Sequence, residues 1–342
     1  FAAEWIVDGQ PSMDTWELDI RRFGPWTSER SYLEPRSLDV YGHEYGIAFP
    51  HEERSAGRPQ KKDALHDRLI ERGAVMGFKF GWERPLWFAP PGVAREDHSL
   101  TFHTPDWVEH VAAECRAVRE GVGVLDQTSF AKYEVSGPGA RAFLDRLCAN
   151  RLSDAVGRVV VTQMLTERGG IECDLTVTRV GDDRYYIVGA AATQVHDLEW
   201  IVRHLPGDGS VMIENVTEAR GVLTIAGPRS RELLAAVTFD DVSNEAFPWM
   251  TARTMDIGGA SVFAMRISYL GELGWELHHP VEHLATVYDV LIAAGEPLGL
   301  VDFGYRALDS MRMEKGYRLW GADIGPDFTP LEAGLDMFVK LD

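Results

Sequence analysis

Several features that identify common classes of protein are missing from this sequence. The 342 residues include three cysteines, which are widely separated and odd in number: Cys115, Cys148 and Cys173. They offer neither a disulfide framework nor a CxxC metal pair, so a reducing compartment is the simpler expectation. No run of about 18 apolar residues occurs, and we predict no membrane-spanning segment.

Positive charge is also scarce. The chain has 34 Lys and Arg residues against 53 Asp and Glu residues, which gives a formal net charge of -19. Nucleic acids and anionic membranes bind to basic surfaces, so neither is expected as a partner. An anionic small ligand would need local arginines or lysines that act against the overall field.

Signatures for nucleotide and metal chemistry are missing or incomplete. No GxGxxG or GxxxxGKS/T segment occurs, and GVGVLD at 121–126 departs from the pattern at its last position. HPVEH at 279–283 matches a zinc-hydrolase pattern, but Pro280 is expected to begin a helix, which leaves His279 outside it. We therefore predict no bound metal and no dinucleotide held by the usual fingerprint.

The remaining composition fits a globular protein of two or three domains. Hydrophobic residues make up 45% of the chain and charged residues 25%, which allows a sizeable core. The chain begins at Phe1, and FAAEWIVDG is too short and too acidic for a signal peptide. We expect the sequence to start and stop inside a longer protein, located in the cytoplasm, or in the mitochondrial matrix if the source is eukaryotic.

The first hundred residues show little regular pattern. Residues 22–63 are rich in Pro, Gly, Arg and Glu, which favours a segment packed on another part of the protein. GFKFGWERPLWFAPPG at 77–92 combines aromatic residues with prolines and is not expected to form a regular element. We predict an ordered loop anchored by its aromatic residues, with ligand stacking as the alternative.

From residue 104 onward the periodicity is clear. A helix is predicted from Pro105 to about Val122, and another at 193–205 that buries its apolar residues, Val195, Leu198, Ile201, Val202 and Leu205. Strands are predicted at YEVSG, RVVVTQML, ECDLTVTRV and RYYIVGA, then near 253–268 and 273–279, with helices at about 281–294 and 304–318 and a final strand-like run GLDMFVKLD.

One segment is repeated. VSGPGARAFLDRL at 135–147 and IAGPRSRELLAAV at 225–237 align without gaps at an offset of 90 residues, and both read as a strand end, a Gly-Pro turn and a helix. The repeat predicts two similar α+β units side by side, an arrangement that often holds a ligand at the interface.

Two strands carry carboxylates that alternation sets apart from the apolar side. In GGIECDLTV, Glu172, Asp174 and Thr176 are expected to share one face. In SYLGELGWELHHP, Glu276 is expected to lie opposite Trp275, where it could accept two parallel hydrogen bonds from a ligand edge or form a salt bridge with a local arginine such as Arg266. A helix within 302–324 carries Arg312 and Lys315 on one face, for which an ion-pair network is the default expectation.

These motifs together resemble the folate-binding aminomethyltransferase family, the glycine-cleavage T-protein fold. The resemblance covers residues 104–342 and rests on segments in matching order: VREGVGVLDQTSFAKYEVSGPGARAFLDRL, MLTERGGIECDLTVTRV, IAGPRSRELL, ISYLGELGWEL, RMEKGYRLWGADI and TPLEAGL. It implies an α+β fold of duplicated α/β units and tetrahydrofolate as the cofactor, with the C-terminal barrel of the family apparently missing.

The N-terminal part narrows the resemblance. Residues 1–45 look like the tail of an amine-oxidising FAD domain, and residues 46–103 look like the central segment of dimethylglycine and sarcosine dehydrogenases. In such enzymes a flavin domain oxidises an N-methyl group and a folate domain captures the carbon as 5,10-methylenetetrahydrofolate. The implied partners are folate and an N-methylated, glycine-type amine, with FAD bound only by the full-length protein, and a flavin domain or a second copy as possible protein partner.

The resemblance also assigns residues. Asp174 matches the acid near the reacting folate nitrogens, while the acid that precedes it in the family is replaced by Cys173. A fixed anion there would stabilise positive charge during methylene transfer and relay a proton. Tyr269 and Glu276 match the pterin-binding pair, and Glu172 matches an apolar position. Arg266 and Arg312 complete the predicted folate site, with Arg306 as an alternative to Arg312.

Three positions depart from the T-protein pattern, namely Val161, Ala190 and Leu308, and put contacts to the folate tail in question. The alternatives are a glycine-cleavage-type aminomethyltransferase, a non-catalytic folate-binding or regulatory module of the same fold, and a part that mainly joins the subunits of a larger oxidase.

Overall fold

The computed structural model describes residues 2–9, 15–93 and 100–340. The α-helices of these residues are α1 (Ala2–Asp8), α2 (Arg30–Gly42), α3 (His66–Glu71), α4 (Val108–Glu120), α5 (Ala140–Leu147), α6 (Gln194–Arg203), α7 (Ser230–Val237), α8 (Leu284–Gly295) and α9 (Tyr305–Glu314). The β-strands are β1 (Ala74–Lys79), β2 (Trp82–Phe88), β3 (Gly123–Asp126), β4 (Ala131–Ser136), β5 (Val159–Leu165), β6 (Ile171–Gly181), β7 (Arg184–Gly189), β8 (Met212–Asn215), β9 (Arg220–Ala226), β10 (Ala252–Ile257), β11 (Ala260–Met265), β12 (Gly274–Pro280) and β13 (Val301–Asp302). The predicted α+β class is confirmed. Among the described helices, none is both long and apolar enough to cross a membrane.

The chain divides into two compact units. The first unit comprises Phe1–Pro25, Ala131–Val216 and Arg318–Asp342, and the second comprises Trp26–Phe130 and Thr217–Tyr317.

The first unit is built on a five-stranded antiparallel sheet in the order β5-β6-β7-β4-β8. Alternate residues of the strands supply the core on one side of this sheet, where residues of α5 and α6 join them. Cys173, Leu175 and Val177 of β6 all belong to this core. The sheet therefore has one apolar, helix-covered face and an opposite face on which its polar residues lie.

The second unit is built on a six-stranded sheet in the order β10-β11-β12-β9-β3-β13, antiparallel except for the pair β13–β3. One core cluster combines this sheet with α7 and α8, through residues such as Leu233, Val287 and Trp275. A second cluster includes residues of β2, α4 and α9. The hairpin β1–β2 belongs to this unit as well.

The duplication predicted from the repeat is confirmed by the topology. The succession β4, α5, β5, β6, β7, α6 in the first unit corresponds to β9, α7, β10, β11, β12, α8 in the second, and the strand orders β5-β6-β7-β4 and β10-β11-β12-β9 agree. The turn before each helix uses a glycine with positive φ, 117° at Gly137 and 120° at Gly227. An added Cβ would lie 2.3 Å from a carbonyl oxygen at either position, so each turn requires glycine.

The prediction of an irregular loop at 77–92 was wrong. Residues 74–88 form the antiparallel hairpin of β1 and β2, joined by the two residues Phe80 and Gly81. Both have positive φ, 50° and 88°, which is the combination that matches a two-residue turn to the twist of a hairpin. Pro85 is tolerated in β2 because it lies opposite Met76 at an irregularity in the pairing.

Two further expectations need correction. Helix α6 lies within the predicted range 193–205, but of the five apolar residues predicted to be buried only Ile201 is; Val202 is exposed and the other three are half-buried. The other buried residues of the helix are polar: Gln194, His196 and Asp197. The strand-like run near the C-terminus has no strand in residues 334–340; a short 3-10 helix at Asp336–Phe338 replaces it, while 341 and 342 lie outside the described residues. In both α6 and the C-terminal run, the spacing of apolar residues along the chain was misleading, because the tertiary structure leaves some of those residues exposed.

Candidate functional site

Strand β6 presents Asp174 on the polar face of the first unit. Cross-strand pairing joins Asp174 to Gln163 and Thr176 to Val161, two residues apart on each strand, so all four side chains share one face. Thr176 also pairs with Val188 of β7, which pairs with Lys132 of β4. The predicted common face is thus confirmed for Asp174 and Thr176, whereas Glu172, predicted to share it, lies at an irregularity in the pairing.

Asp174 is half-buried and held by one short hydrogen bond. Gln163 Nε2 donates to Asp174 Oδ1 at 2.7 Å. Burial raises the pKa of the Asp174 carboxyl from its ordinary value of 3.8 to about 6; the hydrogen bond from Gln163 acts in the opposite direction, and the nearby charge of Asp197 adds to the rise. Asp174 is therefore a carboxylate that can take up and release a proton close to neutral pH.

Three buried polar atoms on the same face as Asp174 have no partners among the described residues. Gln163 Oε1, Thr176 Oγ1 and Thr178 Oγ1 are buried and have no hydrogen-bond partner in the described part of the chain. Buried polar atoms of native proteins nearly always have partners, because each unsatisfied one costs about 1–3 kcal/mol. These atoms therefore need hydrogen-bond partners that the described part of the chain does not supply, whether water or a ligand.

Glu172 has a different setting from Asp174. The pairs Met164↔Cys173 and Leu165↔Ile171 leave Glu172 as one extra residue in β6, which is a β-bulge. Its Oε1 lies 2.9 Å from His196 Nε2, and His196 Nδ1 lies 3.1 Å from Asp197 Oδ1. Glu172, which the family pattern left without a role, is thus half of a pair of carboxylates around a buried histidine.

The charge state of His196 follows from its partners. Burial disfavours the imidazolium, but the hydrogen bonds to Asp197 and Glu172 outweigh it and raise the pKa of His196 to about 9. The rings of Trp16 and Trp320 lie 4.9 Å and 4.8 Å from the His196 ring. The sequence patterns missed this cluster, because a histidine and an aspartate at the buried positions of α6 give no periodic signal.

The same cluster contains the one His, Cys, Asp or Glu group among residues 2–9, 15–93 and 100–340 whose geometry could admit a metal ion. The ligand atoms of Cys173, His196 and Asp197 lie within 4.8 Å of one another, and all three residues are buried. Burial also raises the pKa of the Cys173 thiol, which opposes the thiolate form that metals bind. Since both nitrogens of His196 already face carboxylates, the arrangement favours an ion-pair cluster over a metal centre.

In the second unit, Glu276 and Tyr269 have defined neighbours. Glu276 is buried on β12, and its Oε2 lies 3.3 Å from Nε2 of His278, two residues along the same strand. The Tyr269 ring stacks on Tyr317 with a centroid separation of 5.9 Å. The alternative salt bridge between Glu276 and Arg266 is not formed.

Arg266 and Arg312 make contacts within the protein. Arg266 donates to the Phe247 carbonyl oxygen at 2.5 Å, and its guanidinium lies 5.8 Å from the Trp275 ring, in the apolar core of the second unit. Arg312 is buried and binds Asp309 on its own helix, at 2.8 Å, and the Tyr317 carbonyl at 3.0 Å, which agrees with the default expectation of an ion-pair network. Their roles toward folate stay predictions.

The three departures from the family pattern occupy different settings. Val161 lies on the polar face opposite Thr176, so an apolar side chain stands two residues from Gln163 there. Ala190 follows the end of β7, and Leu308 is buried in the core cluster that includes α9. Of these, Val161 shares a face with Asp174.

Comparison with known proteins identifies the family. The family model described as GCVT N-terminal domain matches residues 65–342, and the one described as FAD dependent oxidoreductase central domain matches residues 8–62. The chain therefore belongs to the GCVT domain family, and the predicted resemblance is confirmed. A solved structure, glycine cleavage system aminomethyltransferase T from Bartonella henselae, aligns with a TM-score of 0.67 and 26% identity over 82% of this chain and 70% of that one.

Two relatives extend the match to the whole chain. Mitochondrial dimethylglycine dehydrogenase of Mus musculus is 38% identical over 343 residues, which cover 100% of this chain and 39% of the mouse protein. Mitochondrial sarcosine dehydrogenase of Homo sapiens is 38% identical over 378 residues, 99% of this chain and 41% of the human protein. The chain spans about two fifths of the length of these relatives.

Proposed function

We propose that this chain is a tetrahydrofolate-dependent one-carbon transfer module in which Asp174 handles the proton of the transfer step. The observation that supports this most directly is the setting of Asp174, a half-buried carboxylate with a pKa of about 6 beside buried polar atoms that lack protein partners. A general base is most effective when its pKa lies near the working pH.

Tetrahydrofolate would supply two nitrogen atoms that accept the carbon. The oxidised amine would arrive as an iminium ion, and its carbon would bond to both folate nitrogens as its bond to the amine nitrogen breaks. The departing amine would take one of the two displaced N–H protons, and the other would need a base. Asp174, ionised above a pH of about 6, can accept that proton at its carboxylate. Its negative charge also favours the positive charge that develops as the carbon is transferred.

The residues of the second unit would bind rather than react. We assign Glu276 to the pterin edge, through parallel hydrogen bonds to its carboxylate, and Tyr269 to a packing contact beside it. His278 would hold the Glu276 carboxylate in place from the same strand. These roles come from the family resemblance.

The longer protein would supply the carbon. We propose that a flavin domain oxidises the N-methyl group of a glycine-type amine and that this chain captures the product as 5,10-methylenetetrahydrofolate. The match of residues 8–62 to an FAD-dependent oxidoreductase domain and the names of the two dehydrogenases support this proposal. Both names also include the word mitochondrial, which supports a matrix location in a eukaryotic source.

The substitution Asp174→Asn tests the role of the carboxylate. In calorimetry, the variant should bind tetrahydrofolate about as well as the parent chain. In the flavin-containing protein that turns over an N-methyl amine, the transfer rate should fall by ~100-fold or more, the range of general-base contributions. Formaldehyde should accumulate instead, and transfer by the parent enzyme should decline as the pH drops below about 6. Spontaneous condensation of formaldehyde with tetrahydrofolate sets the background.

A matched control is Asp182→Asn, which removes a fully exposed carboxylate just after β6 and should leave transfer unchanged. Wild-type transfer by Asp174→Asn would show that Asp174 is not the base. Absence of heat and of any Tm shift when tetrahydrofolate is added to the parent chain would remove the folate function altogether.

A further inference from the structure

Gln163 is the residue most closely tied to Asp174 and was not identified by sequence patterns. It lies directly opposite Asp174 in the β5–β6 pairing and is 1% exposed. Its Nε2 atom lies 2.7 Å from Asp174 Oδ1. Because an ionised carboxylate has no hydrogen to donate, the amide must direct its NH2 group toward Asp174 and its carbonyl oxygen elsewhere.

The carbonyl oxygen of that amide has no partner. Gln163 Oε1 is buried and has no hydrogen bond in the described ranges. The Thr176 hydroxyl oxygen on the same face is also buried and also has no hydrogen bond there. A buried amide acceptor needs an N–H or O–H group from outside the protein. The NH2 group of this amide thus binds the Asp174 carboxylate, and its carbonyl oxygen is left for a donor that the described chain does not supply.

We propose that Gln163 accepts a hydrogen bond through Oε1 from an N–H group of the reduced pterin ring, and that it thereby selects tetrahydrofolate over oxidised folate. The inference rests on the proposed function. Reduction of the pterin ring adds an N–H donor at N5, which the fully oxidised ring lacks. An acceptor fixed beside Asp174 is satisfied by the reduced ring, whereas the oxidised ring leaves it buried and unpaired, which lowers the affinity for the oxidised form.

Gln163 is also a positioning residue for Asp174. Its N–H fixes the carboxylate on the polar face and stabilises the charged form, which holds the pKa of Asp174 below the value that burial alone would give. Loss of the amide should therefore move the low-pH limit of transfer upward. A residue that only filled space in the core would leave this limit unchanged.

The test compares Gln163→Met, which keeps the length of the side chain and removes the amide, with the parent protein. Calorimetry with tetrahydrofolate and with folic acid gives the selectivity, and the pH profile of methylene transfer in the flavin-containing protein gives the low-pH limit. We expect Gln163→Met to bind tetrahydrofolate about 5–10-fold more weakly, as for the loss of one neutral hydrogen bond, with folic acid affected less than twofold. We also expect the low-pH limit to move upward.

Gln194→Met is the matched control. Gln194 is a second buried glutamine of the first unit with an unpartnered Oε1, but it lies on α6 and not on the polar face of the sheet. Its substitution should change neither the selectivity nor the pH profile. Gln163→Asn, which keeps a shorter amide, should fall between Gln163→Met and the parent and serves if the methionine variant fails to fold.

Three results would overturn the inference. A folded Gln163→Met variant with the parental preference for tetrahydrofolate would show that a water molecule, and not the ligand, satisfies Oε1. An equal loss of affinity for both folates would show that the contact is to a group common to them. Absence of tetrahydrofolate binding in the parent chain would remove the inference together with the proposed function, whereas the first two results leave that function intact.

Discussion

The two duplicated halves share their architecture but not their chemistry. In each, a strand leads through a positive-φ glycine into a helix, whose arginine in the first turn reaches the loop beyond: Arg141 donates to the Leu152 carbonyl at 2.9 Å, and Arg231 donates to the Val242 carbonyl. The spacing is 11 residues in both. The turn, the helix and this hydrogen bond from the arginine to the loop are therefore common to both halves.

The polar interior is where the halves differ. Strand β6 carries Asp174, and the helix α6 that follows buries His196 and Asp197. The matching strand β11 reads ASVFAM, and none of the buried residues of the matching helix α8 is charged: Leu284, Val287, Tyr288, Leu291 and Gly295. The Tyr288 hydroxyl donates to Asp302 at 2.7 Å. Each half buries ionisable residues at its own positions, His196 and Asp197 on α6 in the first and Glu276, His278 and His279 on β12 in the second, so the shared architecture requires neither placement. A functional role is therefore the explanation to test for these buried ionisable residues.

The largest expected effect concerns the shared turn. Gly137→Ala and Gly227→Ala should each lower the free energy of unfolding by about 3 kcal/mol, because strain at positive φ adds to a clash with backbone oxygen. Gly209→Ala, also at positive φ but with nothing within 4 Å of the added Cβ, should cost only about 1 kcal/mol. Urea denaturation measures all three. Tolerance of alanine at one of the paired turns would show that the two are not equivalent.

A pH-dependent effect of similar size should separate the interiors. The pKa of His196 in the folded protein, about 9, lies above its ordinary 6.5. The stabilisation by the imidazolium is therefore complete below pH 6.5 and lost as the pH rises through 9. His196→Gln should lower the free energy of unfolding by about 3 kcal/mol at pH 6 and by much less at pH 9.5. Equal losses at both pH values would contradict a charged His196, and Glu172→Gln should reduce the pH dependence.

The smallest effect concerns the ion pairs of the arginine that binds the loop, Arg141 in the first half. Arg141 forms ion pairs with Asp145 and Asp154, whereas the positions at the same offset of 90 in the second half are Ala235 and Asn244. Asp145→Ala should destabilise, and Ala235→Asp should stabilise, by only about 0.3 kcal/mol, because exposed pairs on a helix contribute little. Thermal unfolding at low salt and in 1 M NaCl measures this, and the differences should vanish at high salt. Large, salt-independent changes would show that the carboxylates do more than pair with the arginine.

The sequence was sufficient for much of the fold and for the face of β6 on which Asp174 lies. Alternation in ECDLTV put Asp174 opposite Cys173, and the 90-residue repeat predicted the duplication, because both are local patterns that tertiary packing preserves. The hairpin at 74–88 was missed because Phe80 is not a residue that signals a turn with positive φ. Gln163 and His196 were missed for another reason: each gains its meaning from a partner on a different strand or helix, which no spacing along the chain encodes.

The bulge at Glu172 has a consequence for how β6 can vary. Ile171, just before it, is tied through both backbone groups to the C-terminal segment, with its N–H donated to the Phe328 carbonyl at 2.9 Å and its carbonyl accepting from Trp320 Nε1 at 3.0 Å. In a strand without a bulge, a one-residue insertion before Asp174 would reverse the faces and turn the acid into the core. The extra residue already present uncouples the two ends of β6. Ile171 on one side of the bulge can thus follow the C-terminal segment while Asp174 on the other side keeps its pairing with Gln163.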